Sequence, residues 1–90
     1  MSVITDKIPV TELLAGLAEE ATELAQAALK LRRCYDGMNP TPADPDIQYE
    51  CFLEEIGDVE LYLDQMSINR QVIADYKAAK LERWQKRLEG

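Results

Sequence analysis

Ninety residues make one small domain, and a chain of this size buries only about 60–65% of its unfolded surface. With 47% hydrophobic residues it is too apolar for a disordered acidic tail, and its net charge of −7 disfavours nucleic acid as a general partner and adhesion to anionic membranes. No apolar run approaches the ~20 residues that cross a bilayer, and the start MSVITDK lacks a basic flank with an apolar core, so a cytoplasmic location is expected.

From Val10 to about Tyr35 the apolar positions Leu13, Leu17, Leu24, Ala28 and Leu31 recur at three, four and seven, with alanines between them. This is helical spacing in strong helix formers. Pro9 suits a first-turn position, and Asp36-Gly37 supplies a stop. The stretch 37–45 holds three of the four prolines and reads as a loop. Asp44 and Pro45 form an N-cap and N1 pair for a second helix over 45–66, whose inward positions are Phe52, Val59, Tyr62, Leu63 and Met66. Ser67 or Asn69 can cap a third helix over 69–88, but no Gly or Pro enforces the break, so continuity with the second helix stays open. There is no strand alternation and no internal repeat. The fold class is all-α: a single domain over 1–90, made of a helical hairpin plus a C-terminal helix.

Two absences narrow the chemistry. The chain has no histidine, which removes Ser–His and Cys–His nucleophiles, imidazole bases and His-containing zinc sites. Cys34 and Cys51 match no redox or four-ligand metal spacing and read as free thiols. Catalysis would have to rest on carboxylates, which select hard cations such as Mg²⁺ or Mn²⁺. The charge is uneven as well. Residues 77–90 carry five cations against Glu82 and Glu89, a net +3, leaving −10 on residues 1–76. Cations near a helix C-terminus also complement its macrodipole, which is explanation enough for the basic segment alone.

The informative feature is where some acids fall. At 100° per residue Glu20 lies within the apolar face of the first helix, with Glu23 about 60° and Glu19 about 100° to the side. On the second helix Glu55 is central to the face of Phe52, Val59, Tyr62 and Met66, and Asp58 lies beside it, while Glu54, Glu60 and Asp64 point outward. Two helices thus each aim an i, i+3 pair of acids at the core. Unpaired buried carboxylates cost several kcal/mol each, and four that converge repel one another. A single Glu–x–x–Glu pair would be an ordinary solvated face. Two pairs, both centred on apolar stripes, point to a divalent cation among them.

At these residues the sequence resembles a family. Glu19-Glu20-Ala21-Thr22-Glu23 matches E-E-x-x-E, and Glu55-Ile56-Gly57-Asp58 matches E-x-x-D, with 31 residues between Glu23 and Glu55. Together with the flanking words Leu17-Ala18 and Leu53-Glu54, they resemble the MazG-like all-α nucleoside triphosphate pyrophosphohydrolases, a superfamily that includes dimeric dUTPases and phosphoribosyl-ATP pyrophosphohydrolase. The resemblance covers about 13–66 and, more loosely, the segment Lys80–Trp84.

The resemblance implies Mg²⁺-dependent cleavage between the α and β phosphates of a nucleotide, giving a monophosphate and pyrophosphate. By that analogy Glu20, Glu23, Glu55 and Asp58 ligate the metal, and Glu19 is a ligand or the base that orients water. Tyr62, Lys30, Lys80, Arg83 and Trp84 are candidates for nucleotide contacts, with core packing or solvated surface as the commoner fate of such side chains. Asn39-Pro40-Thr41-Pro42 is a candidate lid, with a plain rigid loop as the default. Members of the superfamily commonly build their bundle from four or more helices, often from two subunits. A three-helix chain with an acid-lined stripe is unsuited to closing its own core, so a homodimer or homotetramer joined through the apolar faces of the first two helices is expected. The competing readings are phosphoribosyl-ATP hydrolysis and a non-catalytic, metal-binding helical oligomer.

Overall fold

The computed structural model describes residues 7–37 and 44–90. It contains three helices, α1 (Val10–Asp36), α2 (Pro45–Asp64) and α3 (Arg70–Glu89), and no strand among the described residues. Residues 1–6 and the Asn39–Pro42 segment lie outside the described residues.

Local chemistry sets each boundary. Pro9 stands just before the first helical residue rather than within the first turn, with φ −59° and ψ 149°. Its carbonyl accepts the amides of Glu12 and Leu13 at 3.0 and 3.1 Å. Gly37 ends α1 in the left-handed region at φ 73°, where a side chain would be strained. Asp44 caps α2 by accepting the Asp46 amide at 2.9 Å, and Pro45 occupies the first turn, where no N–H is needed.

α2 and α3 are separate helices. The Asn69 side chain accepts the amides of Gln71 and Val72 at 3.1 and 3.2 Å, taking donors that a continuous helix would have given to carbonyls four residues back. α2 stops at Asp64, two residues short of the sequence expectation, with Gln65 as its C-cap.

α1 and α2 form an antiparallel hairpin. Near the start of α1 the ring of Tyr62 lies against Gly16, and near its end Ala28 and Leu31 share a hollow with Phe52. The buried residues are Leu13, Ala27 and Leu31. Ala28, expected to face inward, is exposed, and Ala27 takes its place. The packed seam of α1 runs at heptad spacing through positions 13, 20 and 27, a slight rotation from the stripe that the leucines suggest. All the inward positions expected on α2 are half-buried, and none is fully covered.

Gly16 is where the hairpin closes tightly, because a Cβ there would collide with the far end of the Tyr62 ring. Gly→Ala within a helix ordinarily stabilises by about 0.5–1 kcal/mol. Here Gly16→Ala should bring no gain in the native background and recover that gain when combined with Tyr62→Ala. Thermal denaturation of both single variants and the double variant measures this coupling.

α3 leaves this hairpin almost bare. Ile73 is its one half-buried residue; the rest are exposed. Arg70 ties its start to the end of α2 through Asp64 at 3.4 Å and Glu60 at 3.9 Å, exposed pairs of a kind worth about 0–1 kcal/mol.

Candidate metal centre

The antiparallel register decides which acids meet. With Gly16 level with Tyr62, the i, i+3 pair Glu20/Glu23 on α1 faces the i, i+3 pair Glu55/Asp58 on α2, midway along the hairpin. One carboxylate oxygen from each of Glu20, Glu23 and Glu55 falls in a group whose members all lie within 4.8 Å of one another. Asp58 is not one of the three, but it is half-buried and its charge acts on both Glu20 and Glu55.

Two of these groups are held against their chemistry. Glu20 Oε2 and Glu55 Oε2 are shielded from solvent and have no hydrogen-bond partner. The Glu20 carboxyl is pushed above the ordinary glutamate range, first by burial, then by a hydrogen-bonding contact with Glu23 and by the charges of Glu23, Asp58 and Glu55. The Glu55 carboxyl is raised by burial, then by the charges of Glu23, Asp58 and Glu54 and by contact with Glu23. Each of these neighbouring charges is negative. The ion pairs formed among the described residues join Arg32 to Asp36, Arg70 to Glu60 and Asp64, and Lys86 to Glu82, all away from the cluster.

Shielded, unpartnered oxygens on converging carboxylates fit a hard divalent cation. Such an ion takes oxygen ligands, and it would turn the mutual repulsion of these acids into attraction. An all-oxygen donor set without imidazole or thiolate suits Mg²⁺ or Mn²⁺.

The remaining sequence candidates are placed differently. Glu19 is exposed on α1, around the helix from the three grouped acids. Tyr62 is half-buried between the helices, against Gly16 and beside Ile8, Leu13 and Leu61, and so serves packing in this chain. Lys30 is exposed, ten residues and thus about 15 Å along α1 from Glu20. Lys80, Arg83 and Trp84 lie on exposed α3, where they line a hollow with Lys86 and Arg87, apart from the acids. Cys34 and Cys51 are free thiols, as expected. The pairing of Glu23 with Glu55 across the seam was not visible in either motif by itself. The seating of the Tyr62 ring against Gly16, level with that register, has no signal in the apolar pattern.

No helix among the described residues is long and apolar enough to cross a membrane. Comparison with protein-family models, with curated proteins and with solved structures found no match to this chain.

Proposed function

We propose that this protein is a Mg²⁺-dependent nucleotide pyrophosphohydrolase that cleaves between the α and β phosphates of nucleoside triphosphates, releasing a nucleoside monophosphate and pyrophosphate. The observation that carries the reading is the convergence of Glu20, Glu23 and Glu55 across the α1–α2 seam, with a shielded, unpartnered oxygen on Glu20 and on Glu55. The resemblance of the E-E-x-x-E and E-x-x-D words to the MazG-like enzymes supplies the reaction class.

Glu20, Glu23, Glu55 and Asp58 would hold the metal. When bound, Mg²⁺ supplies charge for phosphate oxygens and lowers the pKa of coordinated water. The chain's own contribution is twofold. The four acids repel a triphosphate, with its roughly four negative charges, until they are neutralised, which makes substrate entry depend on the cation. By the family resemblance Glu19, exposed on α1 around the helix from the grouped acids, would be a further ligand or the base that orients the attacking water.

A homo-oligomer is part of this reading. The chain has a radius of gyration of 16.8 Å, against about 12 Å for a compact domain of this length. Among the described residues only Leu13, Ala27 and Leu31 form a buried apolar core.

Incubation with a panel of NTPs, dNTPs and phosphoribosyl-ATP, with Mg²⁺ present or chelated, tests the function. Release of pyrophosphate that stops on chelation is the expected result. Metal binding without turnover of any nucleotide would overturn the enzyme reading and leave a non-catalytic helical oligomer.

A further inference from the structure

The outer faces of α2 and α3 carry opposite versions of one pattern. On α3, a helical projection gathers Ile73, Tyr76, Leu81, Trp84 and Leu88 on one side with Lys77, Lys80 and Arg87 among them, while Asp75, Glu82 and Glu89 fall on the other. Of these apolar residues only Ile73 is half-covered; Tyr76, Trp84 and Leu88 are 66%, 59% and 76% exposed. On α2 the side turned away from α1 carries exposed Ile47 and Leu53, interleaved with exposed Glu50 and Glu54, and exposed Leu61 lies at its margin, where it also borders a hollow with Leu13. Gly57 lies on the same side with open space where a side chain would stand, which leaves room for a helix to approach.

From these faces we infer that α3 is an exchanged arm, and that in a symmetric dimer the basic–apolar face of α3 packs on the acidic–apolar outer face of α2 of a second copy. The inference rests on the self-association part of the proposed function and replaces the interface expected from the sequence, because the apolar faces of α1 and α2 pack on each other within the chain. Three observations favour a second copy over other occupants. Charge is complementary within the chain, since α3 carries a net +3 and residues 1–69, which precede it, carry −10. The accessible surface is 7316 Å², whereas a folded monomer of 10.2 kDa has about 5,300 Å². The surplus of about 2,000 Å² per chain is in the range that a stable or obligate dimer covers. An anionic membrane, the other surface suited to a basic amphipathic helix, is repelled by the net charge of −7. A contact made by α2 of one copy with α3 of the other is repeated by the two-fold, so a single pair of faces closes the assembly.

Trp84 is the only tryptophan, so its emission reports the arm directly. In the full-length protein its emission should move to shorter wavelength as concentration rises, in step with dimer formation followed by sedimentation. Carbodiimide cross-linking of a 1:1 mixture of ¹⁵N-labelled and unlabelled chains should join lysines of α3 to carboxylates of α2 in mixed-isotope peptides. The pair Lys77→Glu and Arg87→Glu should weaken association roughly tenfold or more, as should Glu50→Lys with Glu54→Lys, and all four changes in one chain should restore it. These positions are exposed, so far-ultraviolet circular dichroism should be unchanged. A monomer at a concentration on the order of 100 µM, where even a weak dimer with a micromolar Kd would be mostly assembled, same-isotope cross-links only, no rescue in the fourfold variant, or a Trp84 shift that requires anionic vesicles would each overturn the arm. Mg²⁺-dependent nucleotide hydrolysis by a chain whose Trp84 stays exposed would overturn the exchange and leave the proposed function standing.

Discussion

Glu20→Gln and Glu55→Gln are each expected to lower nucleotide turnover by about 100-fold or more and, in metal-free buffer, to raise the thermal midpoint. The two effects have opposite signs because one carboxylate serves two states. On the proposed function, its charge would be a ligand when the cation is present. Without it, the same charge sits shielded among Glu23, Asp58 and the facing glutamate with an oxygen that nothing bonds. Replacing it by an uncharged amide of the same shape removes repulsion and adds a donor for its neighbours. Glu12→Gln, on the exposed first turn of α1, should leave turnover in place. Turnover kinetics and calorimetric scans in chelator measure the two effects. Loss of activity accompanied by a lower metal-free midpoint would mean that the carboxylates support the fold rather than strain it.

The stability of the metal-free protein should fall as pH rises through the window that begins near the ordinary glutamate value of about 4.3. The sign follows from linkage. Glu20 and Glu55 titrate higher in the folded chain than in the unfolded one, so between the two values the native state holds more protons, and raising pH favours unfolding. Below the window both states are protonated and the penalty disappears. On the proposed function Mg²⁺ should reverse the trend, because it would bind the deprotonated cluster and compete with protons. At a hundredfold excess over Kd a ligand specific for the native state adds about 2.7 kcal/mol. For a domain of this size that is a rise in midpoint on the order of 10 °C. The rise should be present near neutral pH and fade as the medium becomes acid. Thermal scans across pH, with Mg²⁺ and with chelator, check the crossing of the two curves. An equal Mg²⁺ effect at acid and neutral pH would place the ion elsewhere.

Much of this molecule could be read from its residues because the relevant signals are local. Helix starts and stops depend on capping atoms within a few positions, and Asp44, Asn69 and Gly37 act where the sequence suggests. The sites of Glu20 and Glu55 within apolar stripes follow from helical geometry alone, and both acids are half-buried on the seam. Other matters depended on contacts between elements. The break between α2 and α3 was open in the sequence, since several residues there can cap and none forbids a helix. Which alanine of α1 would be buried turned on a rotation of a few tens of degrees, set by the partner helix rather than by α1.

Composition and periodicity were enough to establish a helical chain that puts acids where apolar residues belong, because each turn of a helix imposes its own spacing without reference to the rest of the fold. Only the packing of α1 on α2 decided that Glu20, Glu23 and Glu55 share one small volume, with Asp58 at its margin, and that α3 lies bare. Register between helices depends on how the side chains of one seat against the other, here the Tyr62 ring over Gly16, and such a contact has no meaning until two segments distant in sequence are brought together.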